Sequence, residues 1–186
     1  MKQIDDRIYM VEGFPRKGSA LYNLQTADDA ERGKTLKRWK KMNKYFVLPF
    51  YKIGVLPLFG FGKIFLILTT KGRISGKMRK TPIEYRKMDG VITIVSARGE
   101  ESDWLKNLRA NPDDARVRRG FHRFIPRLEF IDNFEEKERF IQYYIRNHGK
   151  AAKMLFGWNP KTDDLDTADF SALLNSITII CLYESK

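Results

Sequence analysis

Short apolar runs separated by turn residues dominate the chain from residue 63 onwards. KIFLILTT (63–70) and VITIVSA (91–97) are rich in apolar and β-branched residues, and TPIEYRK (81–87) lies between them, before an MDG turn. Segments of this kind are typical of β-strands joined by tight turns. ARVRRG and FIPRLEFI predict two further strands that pair around Gly120, and SITIICLYE predicts the last strand.

Helical patterns accompany these strands. SDWLKNLRAN predicts a short helix that is capped by Ser102 or Asp103 and stopped by Asn-Pro. DNFEEKERFIQYYIRNHG predicts a longer helix, with Asp132 as its cap, Glu135 three residues later and Gly149 at its end. A further helix is predicted near KAAKMLF, before a polar loop and the last strand.

The first third of the chain has a different pattern. Residues 1–25 read as an arm with turn residues, and a helix is predicted to begin near Thr26 and to end at Pro49. One side of that helix is apolar, with Leu36, Trp39, Met42 or Asn43, and Phe46. The rest of its surface is basic, with Arg32, Lys34, Lys37, Arg38, Lys40, Lys41 and Lys44.

Strands joined mostly by short turns, with helices outside that run, predict an α+β fold. We expect an antiparallel sheet or barrel with flanking helices, because a doubly wound α/β fold requires strands and helices to alternate. We divide the chain into residues 1–62, an arm and basic amphipathic helix with an apolar segment, and residues 63–186, the barrel domain. The two parts are expected to form one structural unit.

Composition narrows the class of protein. The chain has 186 residues, enough for one domain with a real core, and its formal net charge of +12 favours anionic partners. The single cysteine, Cys181, excludes an internal disulfide framework and indicates a reducing, cytoplasmic setting. The N-terminus has no continuous apolar stretch of the kind that a secretory signal requires.

The apolar segment YFVLPFYKIGVLPLFGFG (45–62) has two interpretations. Its prolines, its glycines and Lys52 make a membrane-spanning helix a poor prediction. The segment either folds back onto the core or rests, after the basic helix, on an anionic membrane surface. Peripheral contact with the inner face of the membrane is therefore one expected partner interaction.

Several kinds of site have little support. His122 and His148 are far apart and have no recognisable metal-ligand spacing, so a protein-bound catalytic metal is not expected. Cys181 lies in an apolar strand and reads as a buried, inert thiol. Ser75 is not on a nucleophile elbow, and the glycines around it lack the ending of a P-loop.

The turn between the first two predicted strands is the most informative stretch. TTKGRISGKMRKTP (69–82) concentrates five cations around two glycines. Arginine binds phosphate oxygens through bidentate hydrogen bonds, and glycine lets backbone N–H groups approach the same anion. SARG (96–99) and the helix start at residues 102–104 are expected at the same end of the sheet. The three segments together predict a phosphate site, with a solvated basic turn as the alternative.

This stretch belongs to a longer pattern. LTTKGRISGKMRKTPIEY (68–85), a DG turn, VITIVSARG and DWLKNLRANP resemble the deazaflavin-dependent nitroreductase family, in order and at matching spacing over about residues 40–120. The resemblance implies a split β-barrel similar to the FMN-binding barrels, and it implies coenzyme F420, whose phosphodiester and oligoglutamate tail are negatively charged. Related barrels often pair, so a homodimer is one expected assembly.

The resemblance also implies which positions contact the coenzyme. They are Arg73, Ile74, Ser75, Arg79, Lys80, Thr81, Pro82, Ile83, Glu84, Val95, Ser96, Ala97, Arg98, Asp103, Trp104, Leu105, Lys106 and Asn107. Two of them depart from the family pattern: Ile74 stands where many relatives have a cation, and Glu84 stands where some have an aromatic residue.

The implied activity is hydride transfer from reduced deazaflavin to an electron-poor small molecule such as a quinone or a nitroaromatic. No residue is assigned as an obligate acid or base, and the proton comes from Tyr85, from a C-terminal tyrosine such as Tyr143 or Tyr144, or from water. Phe156 and Trp158 are alternative substrate contacts, and Tyr143 and Tyr144 are equally compatible with packing.

Two rival functions stay open. In the first, the same fold holds FMN, handles haem or acts as a carrier without redox turnover, and a flavin-type absorption spectrum would separate FMN from F420. A charge-driven binder of nucleic acid or membrane is the second rival, and a steep salt dependence without coenzyme affinity would favour nucleic acid. Nucleic acid is not the expected partner, because the cations of residues 71–80 lie within the longer spaced pattern.

Overall fold

The computed structural model describes residues 13–26, 33–34, 37–38, 41–42, 45, 47–52 and 63–184. The helices are α1 (Ala20–Thr26), α2 (Leu48–Lys52), α3 (Asp103–Ala110), α4 (Phe134–Phe156) and α5 (Ser171–Ser176). The strands are β1 (Phe65–Lys71), β2 (Met78–Met88), β3 (Val91–Ser96), β4 (Arg116–Arg119), β5 (His122–Phe124), β6 (Pro126–Ile131) and β7 (Thr178–Glu184).

The strands of the described residues form one seven-stranded antiparallel sheet in the order β5-β4-β1-β2-β3-β7-β6. Strand β2 belongs to both halves of this sheet. Its residues 78–84 pair with β1, and its residues 85–88 pair with β3. The α+β antiparallel architecture predicted from the sequence is therefore confirmed.

The sheet is curled rather than flat. Strands β5 and β6 lie at opposite ends of the strand order, yet only Ile125 separates them in sequence. Six inter-strand steps in a flat sheet would span about 29 Å, whereas the two residues from Phe124 to Pro126 reach at most about 7 Å. The two edges must therefore approach each other, and His122 of β5 contacts the carboxylate of Glu184 of β7. This is the geometry of a split barrel.

Buried side chains form two clusters on the two sides of the sheet. The barrel cluster fills the inside and includes residues from β1, β3 and β7, with α3 over one end; its members include Leu66, Leu68, Ile94, Leu105, Leu108, Ile180 and Leu182. The helix-side cluster packs α4 and α5 against the outer surface and includes Phe14, Phe140, Tyr144, Ile145, Phe156, Trp158, Leu173 and Ile179. Ile179 and Ile180 join different clusters because neighbouring strand residues face opposite sides.

The N-terminal predictions need correction. Residues 20–25 are helical rather than an arm, and Thr26 ends α1 instead of starting a helix. The hydroxyl of Thr26 donates to the Tyr22 carbonyl at 2.8 Å, so it is used within the helix. The described positions from 33 to 42 are helical, with exposed cations, and Met42 is 50% exposed. The apolar partners predicted at 36, 39, 43 and 46 lie outside the described residues.

Pro49 does not end a helix, because it lies in α2. It is the second residue of α2, and the described residues 45 and 47 before it are helical in the wider π form. Residues 53–62 lie outside the described part of the chain, and with them most of the apolar segment with its two interpretations. Among the residues that are described, no helix has the length and apolar character to cross a membrane.

The pairing predicted between ARVRRG and FIPRLEFI (124–131) is wrong except at Phe124. Strand β4 pairs around Gly120 with β5, the residues His122–Phe124, whereas residues 126–131 form β6 and pair with β7 at the other edge of the sheet. The chain passes from one edge to the other at Ile125 and Pro126. Proline has no N–H to donate to a ladder, which favours a strand break at this point.

The long helix α4 begins and ends at other residues than the sequence predicts. Asn133, not Asp132, is its cap, because Asn133 Oδ1 accepts from the Glu136 N–H at 3.1 Å. The helix passes Gly149, kinks at His148 (φ −138°, ψ 40°) and absorbs the KAAKMLF segment before Gly157 ends it in the left-handed conformation. Buried Ala152 and Phe156 pack its last two turns onto the core. The free energy gained from this packing exceeds the cost of a glycine inside the helix.

Two glycines near the strands have positive φ, but only one of them is also close to another part of the backbone. Asp89 and Gly90 both have positive φ in the β2–β3 turn, which confirms the predicted DG turn. A Cβ on Gly90 would meet no atom within 4 Å, whereas a Cβ on Gly99 would lie 2.7 Å from the Ser176 carbonyl oxygen.

We predict that Gly90→Ala lowers the free energy of unfolding by about 1–2 kcal/mol, the cost of a left-handed non-glycine residue. Gly99→Ala should cost about 1–3 kcal/mol more, because the backbone of residue 176 has to move as well. Urea unfolding of the two variants measures the difference. Equal losses would show that the contact at Ser176 is not tight.

Candidate functional site

The loop between β1 and β2 is a tight, internally bonded turn over residues 72–77. The Gly72 N–H donates to the Lys77 carbonyl at 2.9 Å, and the Gly76 N–H donates to the Gly72 carbonyl at 2.7 Å. A Cβ on Gly72 would lie 2.9 Å from Ser75 Oγ and 3.2 Å from the Lys77 oxygen. A side chain at residue 72 would therefore force Ser75 and the Lys77 carbonyl to shift.

Helix α3 fastens this loop through one side chain. Asn107, 7% exposed, accepts at its Oδ1 atom from the Arg73 backbone N–H at 3.1 Å and from Arg73 Nη1 at 3.2 Å. Arg73 Nη2 lies 3.5 Å from the carboxylate of Asp103, at the first residue of α3. The structure thus brings three of the predicted residues together, and Arg73 is bound to protein rather than pointing freely into solvent.

The other cations of the loop region differ from Arg73 in their partners. Lys71 pairs with Asp114 at 3.1 Å. The exposed side chains of Lys77, Arg79 and Lys80 have no carboxylate partner among the described residues. Positive charges that the protein leaves uncompensated at one turn attract an anion.

Arg79 and Lys80 lie on opposite faces of β2. Arg79 pairs with buried Thr70 and so lies on the barrel side, and Lys80 pairs with Thr69 on the outer side. Thr81 and buried Ile83 follow Arg79 along the barrel side, and half-buried Pro82 and Glu84 follow Lys80 along the outer side.

The predicted SARG segment joins the same region through buried hydrogen bonds. Ser96 is 1% exposed; its Oγ donates to the Gly99 carbonyl at 2.8 Å and lies 2.7 Å from Ser102 Oγ. Arg98 donates to the Glu101 carbonyl at 3.1 Å. Ser96 therefore fixes the loop that leads into α3, and all three predicted segments meet at this helix.

The remaining predicted positions are placed as follows. Ile74 is 89% exposed at the tip of the loop, and Ser75 Oγ accepts from the Lys77 N–H at 3.4 Å. Leu105 is fully buried, and Trp104 packs against the barrel cluster. Lys106 is paired with Glu101, and the half-buried Val95 and Ala97 pack against the helix-side cluster.

The candidate tyrosines are all engaged or buried. Tyr85 lies inside the barrel, and the Tyr143 hydroxyl donates to the Lys87 carbonyl at 2.5 Å. The hydroxyl of Tyr144, a residue only 6% exposed, donates to Glu84 Oε1 at 2.8 Å. Burial and, second, the Glu84 carboxylate raise the pKa of Tyr144, so this phenol stays protonated. Phe156 and Trp158 are buried in the helix-side cluster, where they pack against other apolar side chains.

Two residues near Glu84 were not identified as site residues from the sequence. Arg86 pairs with the Glu84 carboxylate, and its guanidinium carbon lies 5.3 Å from the centre of the Tyr144 ring. The His148 ring lies 5.4 Å from the same ring, and its pKa is lowered by burial and then by the Arg86 charge. Arg86 could have been found from the sequence, because alternate strand residues share a face and Arg86 lies two residues after Glu84. No sequence pattern predicts the kink that brings His148 to this position.

Metal ligands and nucleophiles add nothing to this region. In the described part of the chain, no group of three or more His, Cys, Asp or Glu side chains is placed to hold a metal ion. Cys181 is buried beside Thr93, and burial raises the pKa of its thiol.

The sequence matches a family whose description is F420H(2)-dependent quinone reductase, over residues 56–153, which is more than half of the chain. No curated protein matches it.

Similar solved structures include an F420-H2 dependent reductase (FDR-A), at 22% identity over 65% of this chain and 95% of that chain, with a TM-score of 0.42. Campylobacter jejuni ChuZ is similar at 11% identity over 71% and 53% of the two chains, with a TM-score of 0.46. An FAD-binding protein from Mesorhizobium loti is similar at 14% identity over 66% and 82%, with a TM-score of 0.42. Likenesses this distant say nothing about function.

The link between the loop and α3 predicts unequal effects of two substitutions. Asn107→Ala removes a buried amide that accepts from both the backbone and the side chain of Arg73, and it should lower the free energy of unfolding by about 1–3 kcal/mol. Asp103→Asn weakens an exposed ion pair and should cost less than about 1 kcal/mol.

Amide hydrogen exchange checks the structural cause. The Arg73 amide should exchange faster in Asn107→Ala and should keep its protection in Asp103→Asn. Unchanged protection in both variants would contradict the role given to Asn107.

Proposed function

Because the chain belongs to the family of F420H(2)-dependent quinone reductases, we propose that the β1–β2 loop and the outer face of β2 bind coenzyme F420 and that the enzyme reduces a quinone. The chain is an F420-dependent oxidoreductase by its family. The residues that bind the coenzyme, and the acceptor, are the proposal.

The observation behind this proposal is the set of unpaired cations at the loop. Lys77, Arg79 and Lys80 are exposed and have no carboxylate partner among the described residues, whereas the nearby Asp103 and Asp114 are already paired. The phosphodiester and oligoglutamate tail of F420 are anions that these side chains can pair with. Hydrogen bonds to charged groups contribute about 1.5–3 kcal/mol each.

The glycines give the loop its shape and are not free donors. The N–H groups of Gly72 and Gly76 are used inside the loop, and Gly76 has a φ of 65° that favours glycine. The phosphate is therefore assigned to the side-chain cations. We propose that Arg73 also has a positioning role. Because its backbone and side chain are bound to Asn107, it holds the loop in position beside the free cations.

The ring of the coenzyme is assigned to the outer face of β2 at Pro82 and Glu84. When bound, reduced F420 supplies a hydride, which is two electrons and one proton. The protein holds this part of the strand rigid, since Glu84 accepts from Tyr144 and pairs with Arg86. Helix α4 lies against the strand at Glu84, where the hydrogen-bonded Tyr144 is buried.

The proton that completes reduction of the acceptor is assigned to solvent. Tyr144 donates to Glu84, Tyr143 donates to a backbone carbonyl, and Tyr85 lies inside the barrel. The raised pKa of Tyr144 also makes its phenol a weak acid. None of the three candidate tyrosines is thus placed as a proton donor to a molecule on the outer face.

Pairing of two chains, which related barrels suggest, is kept as part of the proposal. Sedimentation equilibrium of the purified protein tests it. A single species at the mass of one chain would remove the homodimer.

We predict that replacing Lys77, Arg79 and Lys80 together with Gln raises the Kd of F420 by at least a hundredfold, because each lost charged contact is worth about ten- to a hundredfold in Kd. Fluorescence titration measures the affinity. The matched control replaces the exposed Lys17, Lys153 and Lys161 with Gln, which changes the net charge equally away from the loop.

A fragment of the coenzyme that lacks the phosphate and the glutamates sharpens this test. Its affinity should be the same for the wild type and for the loop variant. If the loop variant binds intact F420 as the control does, the assignment of these cations is wrong.

Contact with an anionic membrane surface is a second, separate part of the proposal. Exposed cations at 34, 37, 38 and 41 are followed in the sequence by Met42 and Tyr45, which are 50% and 64% exposed. A basic surface with exposed apolar side chains is typical of peripheral binding, and it would bring a lipid-dissolved quinone close to the enzyme.

We predict that the protein floats with vesicles that contain anionic lipid and stays in solution with vesicles of neutral lipid. Replacing Lys34, Lys37, Arg38 and Lys41 with Gln should abolish flotation and leave F420 affinity unchanged. Absence of the wild-type protein from both vesicle fractions would refute the membrane contact alone.

A further inference from the structure

The loop that follows β3, residues 97–99, is held from two sides. On one side, Ser96 Oγ donates to the Gly99 carbonyl and lies beside Ser102 Oγ at the start of α3. On the other side, the loop lies against the end of α5, because a Cβ on Gly99 would be 2.7 Å from the Ser176 carbonyl oxygen. The second side is the one that faces the N-terminal helix α1.

Helix α1 reaches this loop through the side chain of Gln25. Its Nε2 atom donates to Ser176 Oγ at 2.8 Å and lies 3.5 Å from the Ala97 carbonyl oxygen, at the outer limit of a hydrogen bond. Both partners are acceptors, since the Ser176 hydroxyl donates its own proton to the Leu173 carbonyl at 2.7 Å. An amide nitrogen with two hydrogens suits this pair of oxygens.

Helix α1 is fastened to the protein independently of Gln25. Leu21 is buried in the helix-side cluster. Before the helix, Arg16 donates from Nη1 and Nη2 to the two carboxylate oxygens of Asp163, at 2.9 and 2.7 Å. The Gln25 amide is therefore presented to the loop from a fixed support, although Ala97 lies 72 positions further along the chain.

The orientation of the peptide between Ala97 and Arg98 decides where the Arg98 N–H points. This peptide is trans, so its carbonyl and its N–H point in opposite directions. Because the Ala97 carbonyl faces Gln25, the Arg98 N–H points away from α1. Within the described part of the chain this N–H has no acceptor. It is a donor that a bound molecule can use.

We infer that Gln25 is a positioning residue of the coenzyme site, which orients this peptide so that the Arg98 N–H donates to F420. The inference rests on the proposed function and on the expectation that Arg98 is one of the coenzyme contacts. Gln25 acts through the peptide and does not itself touch the coenzyme. It also lies outside residues 56–153, which match the family, so the family description gives it no role.

Exchanging the amide for a carboxylate tests the inference while the shape of the side chain stays the same. In Gln25→Glu the Ser176 hydroxyl can turn and donate to the carboxylate, but the Ala97 carbonyl faces an oxygen without a hydrogen. We expect the Kd of F420 in fluorescence titration to rise about tenfold, the effect of one misaligned hydrogen bond to a charged ligand. With 1,4-benzoquinone as the acceptor, the KM for reduced F420 should rise equally and kcat should stay unchanged.

Asn23→Asp is the matched control, because it makes the same chemical exchange on the same helix. Asn23 is exposed, and its Nδ2 atom donates to the Gly18 carbonyl at 3.4 Å rather than to the loop. This variant should bind F420 as the wild type does, which separates the hydrogen bond from the added charge. Gln25→Met, which removes both donors and adds no charge, should raise the Kd of F420 as Gln25→Glu does.

Two results overturn the inference. One is a Kd in Gln25→Glu equal to that in Asn23→Asp. The other is a lower kcat with an unchanged KM, which shows that Gln25 only keeps the protein folded. If neither Gln25 variant folds, NMR of the wild type decides: the Arg98 amide proton should move downfield when F420 binds, and an unmoved signal overturns the inference. Failure of the proposed function is distinct, because F420 binding is then indifferent to Lys77, Arg79 and Lys80.

Discussion

Strand β2 is the constraint on which the other features depend, because it is hydrogen-bonded to both halves of the sheet. Its first seven residues pair with β1 and its last four with β3, so its side chains cannot shift relative to either half. One face of this strand consequently presents a cation, a proline, a carboxylate and an arginine in a fixed line. The proposed order of tail and ring along the enzyme follows from that line.

The second constraint is the hydrogen bonding that fastens the loop to α3. Cations repel one another, and a loop that contains several of them would spread apart without an internal hold. Asn107 supplies this hold by accepting from both the backbone and the side chain of Arg73. The protein thus uses one arginine to position the loop and leaves the neighbouring cations available, a division of roles that residue type alone does not reveal.

Local features could be predicted from the sequence, whereas features that join distant segments could not. The first strands, the DG turn and the helix at DWLKNLRA follow from short-range patterns. The crossing of β6 to β7 depends on closure of the sheet, and the continuation of α4 past Gly149 depends on burial of Ala152 and Phe156. The Tyr144–Glu84 hydrogen bond spans 60 residues, so neither partner indicates the other. The cation cluster could be recognised in the sequence because its residues are contiguous. The hydrogen bonds from Arg73 to Asn107 could not, because the two residues are 34 positions apart.

The most direct measurement of the central claim is a crystal structure of the protein with F420. The account predicts that the phosphate lies within hydrogen-bond distance of at least one of Lys77, Arg79 and Lys80, with the deazaflavin ring along Pro82 and Glu84. A coenzyme bound on another surface, with those three side chains facing solvent, would contradict it.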